Sequence, residues 1–430
     1  KNMFTIMAVI VAITLVVFAH ELGHYVTAKR LGIVVEEFGF GFPPRLLRLW
    51  RGRAAIYVQG QKLLIDKKVE IPEALQDGCS VLYETSVDSK GRSLVTLIEV
   101  VDPAKMPKAV CVEKFDPGTE YTINAIPVLA FVRMRGEDNP SQPGSLASAS
   151  KKVRFAVLFG GPAMNLILAL ILFVVAFMVG WPEPSLYGVL VAEVAPDSPA
   201  EMAGLEANDI ILSIEGRHTE TAEEVKAVTD EYLDQSMTLE VQRQGELLSV
   251  SLVPRSQPPE REGAMGVAIV GEWVARIEPT CYPLDRAIVL GARETGSTMA
   301  LIAIVPVQII RGLIPADQAR PTGIVGIARM TADAVEQTVD TGWLFPIVQM
   351  MAVISIAIGV TNLLPIPALD GGRLFFVLLE AIRGKRIPPE REGAIHFIGL
   401  TALLALMLVI TYFDVTTDIP TFDWSTLLPK

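Results

Sequence analysis

His20-Glu21-Leu22-Gly23-His24 closes an almost unbroken apolar run over residues 3–19, and this pairing restricts the fold and the chemistry together. In a helix, residues four apart share a face. Two imidazoles at this spacing can hold one Zn²⁺, and the glutamate between them can serve a water as general base. The apolar run sets that chemistry in a membrane, where ionisable groups packed into about one turn are expected to be functional. The bland alternative is a chance match on a signal anchor. A cleaved signal peptide is not expected, because its removal would discard the motif.

The chain has 430 residues, 51% of them hydrophobic, and a mean hydropathy of +0.42, which reads as a polytopic membrane protein carrying polar modules. A spanning helix needs about 20 apolar residues. Four segments meet that need, at 3–30, 155–181, 343–379 and 395–413. Lys29, Arg30, Arg45, Arg48, Arg51 and Arg53 follow the first, Lys151, Lys152 and Arg154 precede the second, and Arg383, Lys385, Arg386 and Arg391 lie between the third and fourth. All three basic clusters fall on one side of a four-span topology, which should be cytoplasmic. The region 182–342 and both termini are then exported. Residues 183–260 carry 16 Asp or Glu against 4 Lys or Arg, enough to account for the formal net charge of −11. No basic nucleic-acid footprint is present. Cys79, Cys111 and Cys281 are too few and too irregular for a zinc ribbon or a disulfide framework.

The expected organisation runs as follows. Residues 1–54 hold the first span, the His-Glu motif and an apolar, Gly-rich loop, Phe38-Gly-Phe-Gly-Phe-Pro-Pro44, that suits re-entry into the bilayer. Residues 55–120 form a β-rich cytoplasmic insertion with a hairpin turning at 88–91. Residues 121–150 supply an extended edge segment and a linker, and 151–182 the second span. Residues 183–256 form an αβ unit, and 257–342 a connecting region. In that region 298–315 reads as an interfacial helix rather than a fifth span, because Pro306 and Arg311 interrupt it. Residues 343–382 contain the third span, and 383–430 a loop, the fourth span and a tail.

A catalytic zinc takes about three protein ligands and leaves a position for water. Of the four histidines, His218 lies in the αβ unit and His396 beside a charged loop. Asp370, in Asn362-Leu-Leu-Pro-Ile-Pro-Ala-Leu-Asp-Gly-Gly372, is the better third ligand. The first and third spans run in the same direction, which brings it to the depth of His20 and His24. Glu380 and His396 stand in reserve. Pro365 and Pro367 break helical hydrogen bonding where a cavity would tolerate it. Asn362 either holds a substrate carbonyl or a developing oxyanion, or makes an interhelical polar contact.

Two resemblances accompany these residues. Ser198-Pro-Ala and 203–211 make the αβ unit similar to a bacterial PDZ domain, with Asn208 where Gly is usual. If that unit takes a peptide C-terminus, residues 187–191 are the expected contact strand. His20 to His24, Gly160-Gly-Pro-Ala-Met-Asn165, the PDZ-like insertion and 362–372 together resemble the site-2 protease family of intramembrane zinc metalloproteases. The branch most resembled is the bacterial one that performs regulated intramembrane proteolysis on anti-sigma factors. The resemblance implies that His20, His24 and Asp370 bind zinc, that Glu21 is the acid/base, and that Asn362, beside Pro365 and Pro367, helps hold substrate. It also implies a membrane-reentrant β region at Gly39–Gly41 and 121–134. The single PDZ-like unit and the long 55–120 insertion depart from the pattern.

The expectation is therefore a multi-pass protein of the bacterial inner membrane with about four spans, a reentrant β region and a PDZ-like domain on the exported side. It would be an endopeptidase with its active site near the cytoplasmic side, cutting single-span transmembrane proteins after a prior cut. Substrate would add as a strand near Val128 and Val132. Membrane lipid is the other partner. The rivals are the same chemistry clearing remnant signal peptides or processing precursors, and a non-catalytic PDZ scaffold.

Overall fold

The computed structural model describes residues 2–88, 93–137, 142–259, 262–313 and 322–417. Helix α1 (Asn2–Arg30) leads into strand β1 (Val35–Arg51), then β2 (Ala55–Val58), β3 (Gln61–Ile65), β4 (Ser80–Val87), β5 (Ser93–Val100), β6 (Val110–Cys111), β7 (Lys114–Asp116) and β8 (Glu120–Met134). Helix α2 (Lys151–Gly180) runs straight into β9 (Trp181–Val194). There follow α3 (Pro199–Met202), β10 (Ile210–Ile214), β11 (Arg217–His218), α4 (Ala222–Glu231), β12 (Met237–Arg243), β13 (Glu246–Leu252) and β14 (Val267–Thr280). The chain continues as α5 (Leu284–Ile310), α6 (Ile324–Thr341), α7 (Phe345–Leu363), α8 (Asp370–Arg383) and α9 (Pro389–Thr416). Two compact units result. One gathers Lys1–Phe173, Gly291–Ala332 and Gln349–Ile419, the other Val174–Leu290 and Asp333–Val348.

In the first unit, Phe38 to Pro44 is more than a loop. It lies inside β1, which turns at a cis Pro43-Pro44 bond and pairs with β8. Both strands double back, so Phe38 partners Tyr121 and Val132 at once, and 120–123 are flanked by 37–40 and 47–51. Four segments therefore lie side by side, with 130–133 at one margin. Phe42, Leu46, Leu47 and Trp50 remain exposed on this ribbon, an apolar surface suited to lipid. The 55–120 insertion folds as a six-stranded sheet, β6-β4-β5-β3-β2-β7, around Ile56, Ile65, Val81 and Val95. Of the expected hairpin, β4 and β5 pair antiparallel, and turn residues 89–92 lie outside the described residues.

Five helices among the described residues are long and apolar enough to cross a membrane by length and composition, one more than the sequence suggests. The extra one is Leu284–Ile309, whose helix continues through Pro306. A proline removes one backbone donor, and where surroundings are apolar, breaking the helix would expose several more unpaired groups. The 343–379 segment is two helices, not one. α7 stops at Leu363 and α8 begins at Asp370, with Pro365 and Pro367 between.

In the second unit, the sheet order is β13-β12-β10-β9-β14, with β11 paired to β10. Val189, Ile211, Ile214, Val225, Met237 and Leu239 form its core. α4 carries a full capping box, Thr221 bonding the Glu224 amide and Glu224 returning the bond. The sheet extends past residue 256, since β14 pairs along the whole of β9. A Gly- and Pro-rich stretch before β14 masks its membership in the sequence. Residues 187–191 are thus flanked by β10 and β14, which rules them out as an open docking strand. β14 is one edge of this sheet and β13 the other, and a groove of about 430 Å³ lies between β14 and α4, lined by Val225, Thr229, Met265, Val267 and Ile269.

Candidate metal centre

The last three turns of α1 and the first residue of α8 meet in the first unit. His20 and His24 are buried, 8% and 6% exposed. Their Nε2 atoms lie 3.0 and 3.1 Å from Asp370 Oδ2 and 3.2 Å from each other. Two imidazole nitrogens and a carboxylate oxygen within 4.8 Å of one another form a donor set that fits zinc by type and number. The other nitrogen of His24, Nδ1, donates to the Val157 carbonyl at 2.9 Å. That bond leaves Nε2 its lone pair, as a ligand requires.

Glycines make the convergence sterically feasible. A Cβ on Gly161 would lie 2.3 Å from His24 Nε2, and one on Gly23 would lie 2.2 Å from the Gly160 carbonyl oxygen. α1 and α2 therefore approach at a contact no larger residue would admit. At the other wall, the chain between α7 and α8 doubles back sharply. A Cβ on Gly371 would sit 2.0 Å from the Leu364 carbonyl oxygen, and one on Gly372 would sit 2.5 Å from that of Ile366. The glycines after Asp370 let this turn close, which swings the carboxylate back toward α1. Ala368 takes a positive φ of 78° in that turn, and its N–H donates to His396 Nδ1 at 2.9 Å.

Glu21 stands beside the donor set and outside it. Its carboxylate accepts from the Val132 N–H at 3.1 Å, on the margin of the β1–β8 ribbon. The remaining residues expected at the site are placed as follows. The Asn362 amide donates to the Ile358 carbonyl one turn back, at 3.1 Å. Pro365 is exposed in the break, while Pro367 packs where a side chain on Gly399 of α9 would stand. The Val128 side chain lies outside the described ones. Of the reserve ligands, His396 is engaged with the Ala368 amide and Glu380 is paired with a buried Arg154.

Farther out, Glu120 anchors the ribbon. Burial acts to raise its carboxyl, but Arg51, Arg45 and Arg48 outweigh that and hold it below the ordinary carboxylate range. Sequence reasoning assigned no role to Val157, whose contribution is a main-chain carbonyl. It assigned none to Gly161 or Asn165 either, although both lie in the motif at 160–165.

A model of peptidase family M50 matches residues 8–58 and 102–406. The unmatched stretch between them falls within the six-stranded insertion. The zinc metalloprotease RasP of Oceanobacillus iheyensis is 30% identical over 433 residues, covering 96% of this chain and 99% of that protein. The regulator of sigma-W protease RasP of Bacillus subtilis is 30% identical over 431 residues, covering 96% and 98%. Among solved structures, the PDZ domain of an SdrC-like protein from Listeria monocytogenes covers 20% of this chain and 93% of that one, at 18% identity and a TM-score of 0.19.

Proposed function

This chain belongs to peptidase family M50, the site-2 proteases, and is a zinc metalloendopeptidase of the membrane; from that premise we propose that His20, His24 and Asp370 hold the metal, with Glu21 as acid/base. The observation that carries the assignment is the convergence of both Nε2 atoms on one Asp370 oxygen, across 346 or more residues of chain. Bound there, zinc supplies Lewis acidity toward a peptide carbonyl and a water. Glu21 accepts the proton that the attacking water loses and returns it to the departing amine, and its position outside the donor set leaves it free to do so. Asn362 turns from the Ile358 carbonyl toward the substrate carbonyl, and Pro365 and Pro367 keep the neighbouring backbone open to it.

The substrate is a transmembrane segment of a single-span protein, previously cut on its exported side. Helical peptide bonds are shielded, so the segment unwinds and adds as a strand along the 130–133 margin, with Val132 and Val128 beside it. Anti-sigma factors are the favoured class, because the Bacillus subtilis relative is named for sigma-W. The PDZ-like unit lies on the exported side and takes a peptide C-terminus in the β14–α4 groove. The metal centre opens near the cytoplasmic side, a reading that the Lys and Arg clusters support. α5 lies on the membrane surface, its Leu284, Ile288, Val289 and Leu301 exposed toward lipid.

The test is incubation of the purified protein and its Glu21→Gln form with a panel of single-span substrates, with fragments located by mass spectrometry. Cuts inside the apolar segment, made only when Glu21 is present, are expected. Cuts confined to exposed loops would overturn the intramembrane reading.

A further inference from the structure

The two histidines are held from behind by different chemistry. His24 Nδ1 faces the Val157 carbonyl, which only accepts, so the ring proton stays on Nδ1. His20 Nδ1 faces the side chain of Asn165 on α2, 3.4 Å away, and an amide offers a donor on one arm and an acceptor on the other. Asn165 is fully buried, and its carbonyl oxygen Oδ1 has no hydrogen-bond partner. The residue is pinned in place. Its main-chain oxygen accepts from the Ser355 hydroxyl at 2.8 Å, and a Cβ on Gly359 of α7 would already stand 3.4 Å from its own.

We propose that Asn165 is a positioning residue that sets the tautomer of His20 through the orientation of its amide. With the amide nitrogen toward the ring, Nδ1 is the acceptor and the ring proton sits on Nε2, which donates to Asp370 Oδ2 at 3.0 Å. With the amide reversed, the orphaned Oδ1 receives an Nδ1–H, the ring keeps a single proton, and Nε2 presents a lone pair to the cation. The inference rests on the reading that His20 is a ligand.

The full-length protein tests it in three variants. Asn165→Asp offers acceptors alone, so it favours the ligating tautomer and is expected to bind zinc at least as tightly as the natural chain. Asn165→Leu offers neither arm and is expected to weaken zinc binding by about 10–100-fold, measured by competition with a chromophoric chelator. The visible spectrum of the cobalt(II)-loaded Asn165→Leu protein should shift, while that of Asn165→Asp should not. Natural zinc affinity in Asn165→Leu, or equal weakening in both variants, would overturn the proposal. His20→Ala separates the two readings. Loss of zinc there without loss in Asn165→Leu sinks this inference alone, whereas zinc retained in His20→Ala sinks the ligand assignment itself.

Discussion

Glu21 lies next to one proposed ligand and three residues from the other, yet its carboxylate turns to the Val132 amide and leaves the donor set to His20, His24 and Asp370. Removing its charge should therefore spare the metal. Glu21→Gln is expected to retain one zinc per chain and to lose about 10²–10⁴-fold in turnover, while His20→Ala, His24→Ala or Asp370→Ala loses metal and activity together, as read by elemental analysis beside cleavage assays. The reserve ligands give the opposite pattern. Glu380→Ala strands the buried Arg154, at a cost of about 3–5 kcal/mol seen as a lower thermal midpoint, but keeps zinc. Full occupancy in Asp370→Ala with loss in Glu380→Ala or His396→Ala would move the third ligand. At this scale the motifs at 20–24 and 370–372 were legible, because ligand chemistry demands particular side chains at particular spacings. Val157 and Asn165 were not. A main-chain carbonyl leaves no mark on its residue type, and a buried amide reads like any interhelical contact.

Among the elements, the ribbon of β1 and β8 was the least legible. Its two halves are separated by the whole six-stranded insertion, and its strands double back at a Pro-Pro turn and a bend near Leu129, so no local alternation announces the pairing. The structure leaves the Val132 N–H directed to Glu21. Val132→Pro removes that outward donor, and turnover should fall with zinc retained. Cleavage at the natural rate would mean that substrate enters elsewhere. The cap of α4, by contrast, was written in the sequence as Thr221 and Glu224. Backbone N–H bonds from Glu220 and Thr221 lower the Glu224 carboxyl below its ordinary 4.5. The stabilisation from a lowered folded-state value is present above the unfolded value and is lost as pH falls through the folded one. Amide exchange in the first turn of α4 should accelerate selectively as pH drops below about 4.5, after correction for intrinsic rates. Glu224→Gln should abolish that pH dependence, and loss of the cap in Thr221→Ala should cost about 1 kcal/mol.

For the whole molecule, the sequence placed the acidic αβ unit between the second and third spans but ended it too early, at 256. Its own compact unit takes in the end of α2 and the start of α7. α2 passes into β9 without a linker, the Trp343 indole donates to the Gly180 carbonyl at 2.8 Å, and Ala176, Ile277, Trp343 and Phe345 form one apolar cluster. These contacts all lie within that second unit, along with the sheet. A folded module inserted in the chain between α2 and α7 is suited to exclude substrates that still carry a bulky folded domain. The deletion that tests this must remove 182–280, because a cut at 255 would leave β14 without β9. With a short Gly/Ser linker in its place, the variant is expected to cleave full-length and pre-cut substrates at similar rates, where the natural chain prefers the pre-cut form. Ranking the two substrates by initial rate in the same detergent, with zinc content as the control for folding, decides it. Discrimination undiminished in the zinc-loaded deletion would remove the filter from this unit and assign it to the membrane segments themselves.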